Sequence, residues 1–95
     1  SVPEIRIDVD DQRKFVIIEQ LKTKGMFDEA NTNKMDGIRA DFAEGWGLIR
    51  ASNTGPQITL RFEADNNSSL KRIKNIFARE LTKIDDSLST HWNTY

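Results

Sequence analysis

Ninety-five residues, 31% of them charged and 37% hydrophobic, suffice for one folded core and not for two, so residues 1–95 are expected to form a single domain. Fourteen basic against 15 acidic side chains leave a net charge of -1. No global field therefore draws the chain to nucleic acid or to an anionic membrane, and any anion site must be local. The absence of cysteine excludes a disulfide scaffold and a thiolate metal centre, and fits a cytoplasmic protein.

No apolar run approaches the length of a membrane span, and "SVPEIRIDVDD" has neither a basic start nor an apolar signal core. The chain begins with Ser1 rather than methionine, and "SVPE" has the look of connecting sequence, so a piece of a longer protein is expected.

In "EIRIDV" the apolar Ile5, Ile7 and Val9 alternate with Glu4, Arg6 and Asp8, the period of a strand with one dry and one wet face. Asp10 and Asp11 then offer an N-cap and first-turn charge for a helix through about Lys24. Phe15, Ile18 and Leu21 recur in it at helical spacing, and Gly25 ends it. The stretch from 25 to 35 has turn-forming asparagines and no steady period, and is expected to be loop.

"GIRADF" alternates again, with Ile38, Ala40 and Phe42 on one side, and "AEG" at residues 43 to 45 turns it into "WGLIRAS". That second strand is apolar on both faces, which places it inside a sheet. "QITLRFEA" sets Ile58, Leu60, Phe62 and Ala64 against Thr59, Arg61 and Glu63. "DNNSSLKRIKNIFARELTKI" supplies Asn and Ser caps followed by a stripe of Leu70, Ile73, Ile76, Phe77, Leu81 and Ile84. The polar tail, residues 87–95, has no period and is expected to be loosely held.

The resulting fold class is α+β: a two-layer sandwich in which a four-stranded antiparallel sheet carries two helices on one face, in the order βαβββα.

Catalytic chemistry is sparse. His91 is the single histidine and stands beside Trp92 in the tail, which favours an ordinary surface histidine over a metal ligand. The neighbours Asp10 and Asp11, and Asp85 and Asp86, suit helix ends better than acid–base work. No nucleophile elbow or phosphate-cradling glycine loop is present. Lys71, Arg72, Lys74 and Arg79 have the spacing of a solvated helix face, and the sheet lacks the paired aromatics on which RNA-binding sheets stack bases.

The polar knot between the last two strands, "RASNTGP", is different. Arg50 offers a planar fork matched to two phosphate oxygens, Ser52 and Thr54 offer hydroxyls, and Asn53 offers an amide tolerant of left-handed backbone. Gly55 lets the main chain approach closely, and Pro56 stiffens the exit. The same residues are also what any turn between two strands uses. A plain turn and an anion pocket both remain open on these residues alone.

"DGIRADFAEGWGLIRASNTGPQITLRFEADN", residues 36 to 66, resembles the C-terminal domain of the alpha-D-phosphohexomutases, most closely the phosphomannomutase/phosphoglucomutase branch. The likeness continues back through "VPEIRIDV" and "DDQRKFVIIEQL" and forward through "SLKRIKNIF", and is weakest at 25 to 35 and in the last ten residues. It implies a TATA-binding-protein-like fold and a four-domain parent that interconverts hexose 1-phosphate and hexose 6-phosphate through a bisphosphorylated intermediate. The phosphoserine, the Mg2+ loop and the reader of sugar hydroxyls would belong to the other three domains, leaving this fragment inactive alone.

By matching positions, the resemblance gives the non-reacting substrate phosphate to Arg50, Ser52, Asn53 and Thr54, and makes a phosphosugar the shared ligand. Val2 and Pro3 would belong to the hinge. The competing class is a free-standing phosphate- or ligand-binding module without catalysis.

Overall fold

The computed structural model describes residues 4–88 and Trp92. Val2, Pro3 and His91, and with them the hinge and the histidine expectations, lie outside the described residues. The elements run β1 (Ile5–Asp8), α1 (Arg13–Lys24), β2 (Asn31–Asn33), β3 (Ile38–Phe42), β4 (Gly45–Ala51), β5 (Gln57–Ala64) and α2 (Asn67–Ile84).

All strand pairs are antiparallel, in the spatial order β1-β5-β4-β3-β2. The α+β class and the central place of "WGLIRAS" are as the periodicity indicates. The strand number is not: the sheet has five strands, because Asn31–Asn33, expected to be loop, pairs with β3 through Asn31↔Asp41 and Asn33↔Arg39. All three of its residues are exposed, so backbone hydrogen bonds and no apolar pattern make this edge strand.

Local chemistry explains most element ends. Ala43 and Glu44 form the hairpin loop, with Gly45 already paired to Phe42. The Asn66 side chain accepts from the Ser69 N–H at 2.8 Å and caps α2, supplying one of the donors that a helix start leaves unpaired.

The start of α1 departs from expectation. Asp10 is not its cap; the helix begins at Arg13, and the Asp10 carboxylate accepts from the Gln12 N–H at 3.0 Å in a turn before it. The buried face is also different. Lys14, Ile17, Ile18 and Leu21 point inward, whereas Phe15 is 56% exposed, its ring 5.0 Å from the Lys14 ammonium. Phe15 through Ile18 are four consecutive apolar residues, so helical spacing was satisfied by either face and contact with the sheet chose between them.

One cluster of buried side chains joins the inner faces of the strands (Ile7, Ile38, Ile49, Ile58, Leu60, Phe62) to the helices (Ile17, Leu21, Ile73, Phe77, Leu81). Phe77 lies at its centre, 4.9 Å from Phe27 and edge-on to Phe62 at 5.2 Å. The tail contributes after all: Trp92, 7% exposed, stacks on Phe62 at 5.6 Å.

Glu80 is buried and accepts from the Met26 N–H at 2.9 Å, from Arg79 at 2.8 Å and from Lys83 at 3.2 Å, tying the segment after α1 to α2. Burial alone would raise its pKa, but these three donors outweigh burial and hold the carboxyl below its ordinary range.

With both helices on one face, the other face of the sheet is open. Alternation gives it Trp46, Leu48 and Arg50 from β4, Thr59, Arg61 and Glu63 from β5, and Arg6 and Asp8 from β1. Register then sets Arg50 opposite Thr59, and Thr59 opposite Arg6, so two arginines flank one threonine across three strands.

Candidate functional site

The loop between β4 and β5 spans residues 52 to 56 and is closed by the Ser52 N–H donating to the Gln57 carbonyl at 2.9 Å. Within it the Thr54 N–H donates to Ser52 Oγ at 3.2 Å, and the Ser52 and Thr54 hydroxyls stand 3.5 Å apart. The turn chemistry expected of such residues is therefore present, and the loop's short polar side chains are ordered by one another.

A hollow of about 330 Å³ opens beside the loop, lined by Glu4, Arg6, Arg50, Ser52, Asn53, Thr54, Gln57 and Thr59. All four residues singled out in the sequence line it. Arg50 enters from the end of β4, where its Cα is fixed by pairing with Thr59, and the loop side chains enter from the rim.

Four lining residues were not anticipated. Gln57 and Thr59 follow the loop on β5, and Glu4 and Arg6 arrive from β1. No local signal marks Arg6 as a partner of Arg50; only the pairing of β1 with β5 brings them to one hollow.

The electrostatics favour an anion locally. Two arginines face one glutamate among the lining residues, and that glutamate is paired with Arg6 at 3.2 Å. Arg50, 45% exposed at its side chain, has a loose partner, Asp36, at 3.7 Å, and Asp36 is itself 86% exposed. An exposed pair of this kind is worth about 0 to 1 kcal/mol, so the guanidinium can exchange it for a better-placed oxyanion.

The backbone works differently from the left-handed nest that Asn53 and Gly55 suggested. Positive φ occurs among the described residues only at Glu29 and Gly37, so neither Asn53 nor Gly55 takes the left-handed conformation here. A Cβ on Gly55 would meet nothing within 4 Å, and close approach of the chain does not require glycine there.

Several of the other residues weighed in the sequence have structural partners elsewhere. Asp11 pairs with Lys14 at 2.7 Å, and Asp85 with Arg13 at 2.9 Å. Bonds from the Ser87 hydroxyl first, then from Arg13 and the Ser87 N–H, hold the Asp85 carboxyl below its ordinary range. In the basic run, Arg72 pairs with Glu44 and lies over the Phe42 ring, Arg79 pairs with Glu80, and Lys74 is buried, so the run is not a continuous basic stripe.

Among the described residues no group of three or more His, Cys, Asp or Glu side chains is placed to hold a metal ion, and no helix is long and apolar enough to cross a membrane. The hollow sets the side-chain donors of Arg6, Arg50, Ser52, Asn53, Thr54, Gln57 and Thr59 beside the Glu4 carboxylate.

An α+β sandwich with a donor-lined hollow at the end of its central strands is the class that these features define. Residues 4–80 match the family described as "Phosphoglucomutase/phosphomannomutase, C-terminal domain", and the chain belongs to that family. It is 50% identical over 88 residues to the phosphomannomutase/phosphoglucomutase of Pseudomonas putida, a match covering 93% of this chain and 19% of the relative. It is 42% identical over 79 residues to a phosphoglucomutase of Neisseria gonorrhoeae, covering 81% of this chain and 17% of that one.

In three dimensions it is similar to a crystal structure of a phosphoglucomutase/phosphomannomutase family protein from Burkholderia thailandensis. The TM-score is 0.73 at 32% identity, over 87% of this chain and 18% of that one. The chain thus spans about a fifth of the length of the relatives it matches.

Proposed function

We propose that this chain is the phosphate clamp of a phosphomannomutase/phosphoglucomutase, gripping the non-reacting phosphate of a hexose phosphate while chemistry proceeds at the other end. Arg50 supplies a charged, two-pronged donor, and Ser52, Asn53 and Thr54 supply short neutral donors around it. The observation that carries this reading is the convergence of these four side chains on one hollow, with the Arg50 guanidinium only loosely engaged.

Anchoring a remote dianion turns distant binding energy into orientation at the reacting carbon's phosphate. An intermediate that must reverse between two half-reactions presents either of its phosphates to the clamp. A site of one arginine and three small polar residues accepts both, because it reads phosphate and not hydroxyl stereochemistry. The phosphoserine and Mg2+ that such a mutase employs would act at the reacting end, in other parts of the full-length protein. This chain's residues hold and orient. A cytoplasmic location accords with such a substrate and with the lack of cysteine.

Arg50→Ala in the full-length enzyme is expected to reduce kcat/KM for mannose 1-phosphate by an amount equivalent to about 2 to 5 kcal/mol, the cost of removing one partner of a desolvated charge pair. Unchanged kinetics in a folded variant would refute the assignment.

A further inference from the structure

We infer, resting on the phosphate-clamp reading, that Lys14 is a positioning residue for the loop: its ammonium holds the Gly55 carbonyl away from the hollow, so that this acceptor does not face the ligand. Lys14 lies on the inner face of α1, in line with Ile17, Ile18 and Leu21, and is 4% exposed. An aliphatic side chain would fill such a position without desolvating a charge, and a buried ammonium is tolerated only when well paired. What lysine does here that leucine cannot is reach across to the loop. Its Nζ donates to the Gly55 carbonyl at 2.8 Å and is neutralised by Asp11 at 2.7 Å.

The peptide between Gly55 and Pro56 explains why that contact matters for an anion. Proline has no N–H, so this peptide carries an acceptor and no donor; turned toward the hollow it would only repel phosphate oxygens. In the structure its carbonyl is claimed twice, by Lys14 and by the Gln57 N–H at 2.9 Å. The next carbonyl, that of Pro56, accepts from the Val9 N–H at 2.9 Å. Neither Gly55 nor Pro56 lines the hollow, whereas Ser52, Asn53, Thr54 and Gln57 on either side of them do. The Gly55 and Pro56 carbonyls are thus engaged by protein donors, of which Lys14 is the charged one, and lie off the hollow that Ser52, Asn53 and Thr54 line.

The test is Lys14→Met in the full-length enzyme, beside Arg50→Ala. Lys14→Met is expected to raise KM for mannose 1-phosphate about tenfold with kcat within about threefold, the pattern of lost binding rather than lost chemistry. Hydrogen exchange followed by mass spectrometry should show faster exchange at the Ser52 and Gln57 amides, with that of residues 73–81 in α2 unchanged. A native KM, or exchange that rises equally in α2, would overturn the inference and leave Lys14 a purely structural residue.

Impaired Arg50→Ala with native-like Lys14→Met sinks the role of Lys14 alone; native-like Arg50→Ala sinks the clamp reading itself. Should Lys14→Met not fold, Lys14→Gln takes its place, since its shorter side chain keeps a donor but falls short of the carbonyl. A KM within twofold of the native value there overturns the inference, and a tenfold rise upholds it.

Discussion

Replacing Gly37 with alanine would disturb the hollow from a residue that does not line it. Gly37 leads into β3 with φ at +83°, in the left-handed region that side chains with a Cβ disfavour. A Cβ built there would stand 2.2 Å from the Ile49 carbonyl oxygen, 2.7 Å from Arg50 Cβ and 2.9 Å from Arg50 Cα. Each of these atoms belongs to the strand segment that presents Arg50, and most are backbone, so the clash cannot be relieved by swinging a flexible side chain aside.

Holding alanine at that φ costs about 1 to 3 kcal/mol, and overpacking adds about 1 to 3 kcal/mol. A loss of about 2 to 6 kcal/mol is expected, which for a domain of this size lowers Tm by about 10 °C or more. Urea and thermal unfolding of the chain measure the stability, and KM of the full-length enzyme reports the displacement of Arg50.

Gly55→Ala is the control, since it lies in the loop itself yet has open space and no positive φ. Its stability should stay within about 0.5 kcal/mol of native and its KM should not move. Gly37→Asn separates the two costs, because asparagine tolerates the φ but keeps the clash. A Gly37→Ala variant that melts within a degree or two of native, or a Gly55→Ala variant that loses as much substrate affinity, would refute the reasoning.

Phe77→Ala, which empties the centre of the aromatic cluster, should cost about 3 to 5 kcal/mol in urea unfolding without changing the denaturant slope. A cost below about 1 kcal/mol would mean that the cluster is not the core's keystone. Glu80 should make stability pH-dependent. Its folded pKa lies below the unfolded one, so its contribution is full above the ordinary carboxylate range and is lost as pH falls through the lowered folded value. The stability gap between native and Glu80→Gln is therefore expected to be largest near neutrality and to shrink as pH falls below the ordinary carboxylate range. A gap independent of pH would contradict that origin. Asn66→Ala, which leaves the Ser69 N–H uncapped, should cost about 1 kcal/mol by the same unfolding measurement, and no cost would mean that water replaces the cap.

Strong local periods made much of this protein legible without coordinates. The alternation of Ile38, Ala40 and Phe42, and of Ile58, Leu60 and Phe62, assigns each strand its buried face, because side chains two apart must share a side of the pleat. Asn66 announces α2, and the chemistry of "RASNT" marks four of the eight residues that line the hollow. Other features had no local expression. Asn31–Asn33 is a strand only because β3 offers it an edge, and the inner face of α1 was settled by the sheet beneath a run of four apolar residues.

Arg6 reaches the hollow, and Lys14 the Gly55 carbonyl, through pairings between segments far apart in the chain. Periodicity reports what each segment prefers against water, which residues a few positions apart can encode. Which distant segments then meet depends on the packing of the whole, and the second arginine and the buried ammonium beneath the loop were decided there.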